Sequence, residues 1–220
     1  MKIKLNLQIF IFAIVFLLTK QIHIYSIVLI LALLHECGHL IIGIILKLKP
    51  QEIYINPFGL SIVFQSNKNY SNLKTIIVAL SGPLTNILLI VLTSFFNINN
   101  DLKEMIVYSN IAIAWFNLLP IYPLDGGRIL KAILKCKEKE TIIIDRYINK
   151  ISNITVIIIT GIFSIIILIL QNIAVLFIIG YLWVIIIKEN KRYRLKKSIY
   201  DIIAINKKQN SFSEATNEKK

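Results

Sequence analysis

Acidic residues, cysteine and histidine are all scarce in this chain, and each shortage narrows what it does. The two cysteines, Cys37 and Cys136, have no Cys-x-x-Cys companion, which excludes a disulfide framework. Only 12 Asp and Glu stand against 25 Lys and Arg, a formal net charge of +13. In a soluble chain that balance suggests nucleic acid. Here the positive charge gathers in polar segments between apolar runs, as the positive-inside rule describes, so no nucleic-acid partner is expected. The basic run from Lys191 to Lys197 reads in the same way, as a topology signal or an anionic-lipid contact. Of only three histidines, two lie four residues apart.

What is abundant is apolar. Hydrophobic residues make up 56% of the chain and the mean hydropathy is +0.70, too apolar for a soluble domain of this size. The expected fold is an all-α polytopic membrane protein of about six transmembrane helices, with a small membrane-associated β-hairpin after helix two. The helices are expected at 5–19, 22–46, 73–96, 104–119, 151–170 and 173–187. The first is read as a retained span because no small-x-small cleavage site follows it. Residues 52–65 are too short to span. Asn56-Pro57-Phe58-Gly59 has turn chemistry flanked by β-branched and aromatic residues, hence the hairpin. Within 73–96, Ser81-Gly82-Pro83-Leu84-Thr85-Asn86 implies a kink and close helix packing. Pro120 and Pro123 break the fourth helix, leaving 122–128 unwound and 128–150 as a basic loop. Residues 188–220 form a basic cytoplasmic tail whose last dozen residues are expected to be disordered. With a cytoplasmic N-terminus, every Lys and Arg except Lys20 and Lys103 falls on the cytoplasmic side, so both termini are expected there. The Ile, Lys and Asn bias resembles that of a low-GC bacterial genome, so the membrane is expected to be a bacterial cell membrane.

The chain is organised around His35-Glu36-Cys37-Gly38-His39, inside the second apolar run. At 3.6 residues per turn, His35 and His39 share a helix face about one turn apart and can share a metal ion. In an H-E-x-x-H helix the imidazoles bind Zn²⁺ and the glutamate is the general base of a hydrolase. Two satisfied core histidines are the bland alternative, made improbable by the scarcity of histidine and by the expense of polar groups in hydrocarbon. A catalytic zinc takes three protein ligands. His23 lies about 18 Å along the same helix from His35, out of reach, and reads as an interfacial residue. The other carboxylates sit in or next to polar segments, where solvation explains them. Asp125 follows two prolines and precedes Gly126-Gly127 at the broken end of an apolar helix. It is the candidate third ligand, with a turn residue as the alternative. Cys37 points away from the histidine face and receives no role.

His35-Glu36-Cys37-Gly38-His39, then Gly82-Pro83-Leu84-Thr85-Asn86, then Asn117-Leu118-Leu119-Pro120-Ile121-Tyr122-Pro123-Leu124-Asp125-Gly126, resemble the site-2 protease family of intramembrane zinc metalloproteases (M50 peptidases), in particular its compact sporulation type. The resemblance covers about residues 1–187, the intramembrane metalloprotease domain. It implies one Zn²⁺ per chain on His35, His39 and Asp125, and Glu36 as catalytic base. It implies that Asn117 and Pro123 shape the site and hold the substrate backbone, and that the 52–65 hairpin is a membrane-inserted β element. It implies a membrane-associated protein substrate, a sigma factor precursor or an anti-sigma factor, and a membrane regulatory protein as possible partner. Sporulation-type relatives carry a CBS domain and others carry PDZ insertions. The stretch after Ile187 is too short for the first and no loop houses the second, so neither is expected. The competing class is a non-catalytic zinc-binding membrane scaffold or a metal permease. A scaffold has no need of Glu36, and a permease places ionisable residues along several helices rather than at one site.

Overall fold

The structure is a computed structural model that describes residues 2–5, 22–56, 59–64, 71–138, 140–170 and 174–217, with isolated positions between 10 and 20. In chain order the elements are β1 (Lys2–Leu5), α1 (Ile22–Ile45), β2 (Pro50–Asn56), β3 (Gly59–Phe64), α2 (Asn72–Phe95), α3 (Asn100–Asn117), α4 (Asp125–Lys137), α5 (Thr141–Leu170) and α6 (Ala174–Asn217). They fall into two compact units, Met1–Ile133 and Leu134–Lys220.

In the first unit α1, α2 and α3 pack on one another, and α1 also packs against β3. Only 33% of the most apolar part of α1 and of α2 is buried in protein. Their remaining apolar faces match a hydrocarbon surrounding. Among the described residues three helices are long and apolar enough to cross a membrane: Ile22–Ile45, Asn72–Phe95 and Thr141–Ile165.

Helix ends follow local chemistry. Ser71 caps α2, its hydroxyl accepting from Leu73 N at 3.2 Å, and Asn99 caps α3 by accepting from Asp101 N at 3.1 Å. At the end of α1, Leu48 N donates to Gly43 O at 2.8 Å and Lys47 N to Ile44 O at 2.9 Å, while Lys47 adopts φ 59°. That is a Schellman ending with lysine where glycine is the usual residue. Lys74 Nζ, from the start of α2, donates to Leu46 O at 3.2 Å and satisfies another terminal carbonyl of α1.

The strands form one sheet of order β1-β2-β3. β2 and β3 are antiparallel, and β1 is parallel to β2 with Lys2 opposite Glu52 and Leu5 opposite Ile55. The basic start of the chain is therefore a strand. Four residues of alternating Lys-Ile-Lys-Leu carry little local signal, and their pairing is with a strand about 50 residues away. The expected first helix, 5–19, lies largely outside the described residues, and its Leu5 belongs to β1.

Three further expectations are corrected. Most of 128–150 is helix, not loop. α4 carries Asp125 in its first turn and Lys135 and Lys137 in its last, which suits the helix dipole at both ends. α5 begins at Thr141 rather than 151. α6 runs on to Asn217, so residues 188–217 are helical and the expected disorder of the last dozen does not hold for 209–217; nothing between Tyr181 and Asn217 is Pro or Gly. In this second unit Ile144, Ile148, Ser152 and Val156 recur every four residues on α5 and are buried, as are Ile179, Leu182 and Ile186 on α6. An amide cluster crosses between the two helices, with Asn149 Nδ2 donating to Asn190 Oδ1 at 2.6 Å and Asn190 Nδ2 to Asn153 Oδ1 at 3.0 Å. Lys196 pairs with Asp145 at 2.7 Å.

The left-handed conformation of Lys47 generates a test, since a non-glycine residue there is strained by about 1–2 kcal/mol. Lys47→Gly is expected to raise stability by about 1 kcal/mol, read as a higher thermal midpoint of the purified protein in detergent. An unchanged or lower midpoint contradicts the assignment of strain.

Candidate metal centre

His35 and His39 lie one turn apart on α1, 2% and 1% exposed, on the face turned to α2. Asp125, the first residue of α4, is 5% exposed and brings its carboxylate to the same point. The two Nε2 atoms are 3.2 Å apart, and Asp125 Oδ2 is 3.1 Å from each. The triangle is close to the donor-to-donor edge of a tetrahedral zinc, about 3.3 Å for bonds of about 2.0–2.1 Å. Two imidazoles and a carboxylate also suit zinc chemically.

The far sides of both rings are engaged. His35 Nδ1 donates to Asn86 Oδ1, and His39 Nδ1 donates to Val78 O at 2.6 Å. A proton held on Nδ1 leaves the Nε2 lone pair free, the tautomer a metal requires. Asn86 is itself oriented, its Nδ2 donating to Asn110 Oδ1 at 2.8 Å, and Asn110 Nδ2 donates to Ile106 O at 2.9 Å. Asn86 and Asn110 are fully buried, so α1, α2 and α3 are tied by one chain of amide hydrogen bonds that ends on His35. Ser81 Oγ donates to the same Val78 carbonyl at 2.7 Å.

Glycine keeps the centre open. A Cβ at Gly82 would collide with Nε2 of both histidines, and one at Gly38 would lie 2.9 Å from Ser81 O and strike Thr85. α2 therefore approaches α1 closely beside His35 and His39, and it runs helical through Pro83 as it does so. Gly126 and Gly127 serve close packing too. A Cβ on either would meet the backbone of residues 118–122, and neither has a positive φ. The expectation of backbone freedom around Asp125 is corrected accordingly: the glycines let α4 start against the end of α3.

His35, His39 and Asp125 are thus brought together, with ligand atoms all within 4.8 Å of one another. Glu36 is half-buried next to His35, within electrostatic reach of both histidines and Asp125. Asn117 closes α3, its Nδ2 donating to Ile113 O at 3.0 Å. Pro123 is exposed and joined to Tyr122 by a cis peptide bond. His23 and Cys37 are exposed. Sequence reasoning named Asn86 within a motif but gave it no role, and it overlooked Asn110. The signal was there, because an amide in the middle of an apolar helix needs a partner.

Residues 97–162, which include Asp125, match the family model described as Peptidase family M50. The match spans under a third of the chain and is a likeness to that family. It is 29% identical over 134 residues to the stage IV sporulation protein FB of Bacillus subtilis, covering 59% of this chain and 46% of that one. It is 30% identical over 121 residues to a zinc metalloprotease of Methanocaldococcus jannaschii, covering 52% and 35%. The chain therefore spans less than half the length of the curated relatives it matches. The solved site-2 protease from Methanocaldococcus jannaschii superposes with a TM-score of 0.66 at 22% identity, over 85% of this chain and 89% of that one. The chain thus shares the fold of that solved site-2 protease, and one of the two relatives is named a zinc metalloprotease.

If Asn86 sets the tautomer of His35, Asn86→Leu is expected to weaken zinc binding about 10- to 100-fold without unfolding the protein. Competition with a chromophoric chelator measures the affinity, and an unchanged value contradicts the role.

Proposed function

We propose that this chain is a zinc-dependent intramembrane metalloendopeptidase, hydrolysing a peptide bond in or beside a membrane-associated segment of a protein substrate. The observation that supports this best is the buried triangle of His35 Nε2, His39 Nε2 and Asp125 Oδ2, with Glu36 adjoining it. One zinc held by these residues supplies Lewis acidity toward a peptide carbonyl and lowers the pKa of a water. Glu36 then takes a proton from the attacking water and returns it to the leaving amine.

A transmembrane substrate has its carbonyls tied into helical hydrogen bonds and must unwind before attack. β3 lies at one side of the sheet, with β2 as its partner among the described residues. An extended substrate segment pairing there would regain backbone partners by strand addition. Asn117 and Pro123, at the turn between the end of α3 and Asp125, are proposed to shape the cleft and hold the substrate backbone. The finer reading has six spans, both termini in the cytoplasm of a bacterial cell, and a sigma factor precursor as substrate. The likeness to a sporulation protein supports that substrate, with an anti-sigma factor as the other candidate and a membrane protein as regulator.

Co-expression in a bacterial host of this chain, or its Glu36→Gln variant, with a tagged sigma factor precursor tests the proposal. The wild type is expected to shorten the precursor, and Glu36→Gln to leave it whole while still purifying with about one zinc per chain. Shortening that survives Glu36→Gln refutes the role of Glu36. Zinc in both proteins with no cleavage of a precursor or of single-span anti-sigma factors favours a non-catalytic scaffold.

A further inference from the structure

We infer that Arg128 is a positioning residue that keeps Asp125 a one-oxygen ligand and so holds the fourth metal position open. The inference rests on the zinc reading proposed above.

The two oxygens of Asp125 have different surroundings. Oδ2 faces both imidazoles at 3.1 Å, whereas Oδ1 faces Arg128 Nη1 at 3.6 Å. Arg128 stands one turn along α4 from Asp125, an i,i+3 pair in which the helix itself sets the approach. The Asp125 side chain is 6% exposed and that of Arg128 28% exposed, so the ligand is interior while the guanidinium reaches toward the outside. An interior carboxylate oxygen has little water to solvate it and seeks a partner. A guanidinium remains charged at any working pH, and it offers that oxygen a partner other than a metal. The next cation of α4, Lys131, lies over the Tyr122 ring, 4.7 Å from its centroid.

The consequence concerns coordination number. A carboxylate binds a metal through one oxygen or through both. With two histidines and one carboxylate oxygen the protein supplies three donors and leaves a position for water or substrate, as a catalytic site requires. If Oδ1 also turned to the metal, the protein would supply four donors, and a bound water would make the metal five-coordinate. Arg128, by holding Oδ1, opposes that turn. It touches neither substrate nor the reacting atoms.

Cobalt(II) reads this directly, because four-coordinate cobalt absorbs visible light much more strongly than five- or six-coordinate cobalt. The full chain, Arg128→Gln and Arg128→Lys are purified in detergent, loaded with Co²⁺ and assayed for cleavage. The wild type and Arg128→Lys are expected to give the intense four-coordinate spectrum. Arg128→Gln is expected to load about one Co²⁺ yet lose most of that intensity, and to cleave about 10- to 100-fold more slowly. If Arg128→Gln fails to load while Arg128→Lys loads with the wild-type spectrum, a cation at this position is needed for ligand placement, which also supports the inference. Both variants keeping the wild-type spectrum, or both losing metal alike, overturns it. A wild type that takes up no Co²⁺ undoes the zinc reading itself, a different result from either.

Discussion

Two imidazoles and a carboxylate buried inside apolar helices are tolerable only if every polar atom has a partner, and most of the first unit answers to that requirement. Each ionisable or polar group left unsatisfied in such surroundings costs about 1–3 kcal/mol or more. The histidines meet it at Nδ1, toward Asn86 and Val78, while their Nε2 lone pairs and Asp125 Oδ2 converge on the point a shared metal would fill. Supplying the Nδ1 partners brings α2 against α1, which is possible because Gly38 and Gly82 carry no side chain at the contact. Orienting Asn86 brings in Asn110 and hence α3. Supplying Asp125 demands that the chain turn sharply after α3 and start a helix at Asp125 itself, with Gly126 and Gly127 packed on the backbone of 118–122.

How much of this was legible depended on whether the signal was local. His35, Glu36 and His39 were readable because helical spacing alone puts the two imidazoles on one face. Asp125 stands out by its odd position among Pro and Gly, although the glycines there serve packing rather than backbone freedom. Asn110 was not read. Its partner is 24 residues away on another helix, and a single sequence does not say which buried amides meet. Arg128 looked like one more positive-inside charge, and only coordinates set it beside Oδ1.

The fold divides along the same line. The apolar runs of α1 and α2 were placed within one or two residues, as strong hydrophobic segments are. β1 escaped because a four-residue strand exists through its pairing with β2. α4, the early turns of α5 and the later half of α6 are hidden in the sequence by their basic residues, which look like solvated charge. Charge does not oppose helix, however: Lys and Arg are good helix formers, and in the last turn they suit the dipole. α5 and α6 then pair through apolar ridges and an asparagine cluster, neither of which the charge pattern announces.

X-ray absorption at the zinc edge of the purified chain tests the central claim most directly. The account predicts one bound zinc with four nitrogen or oxygen neighbours at about 2.0–2.2 Å and the outer-shell scattering of two imidazoles. Absence of zinc, a sulfur neighbour at about 2.3 Å or the signature of a single imidazole would contradict it.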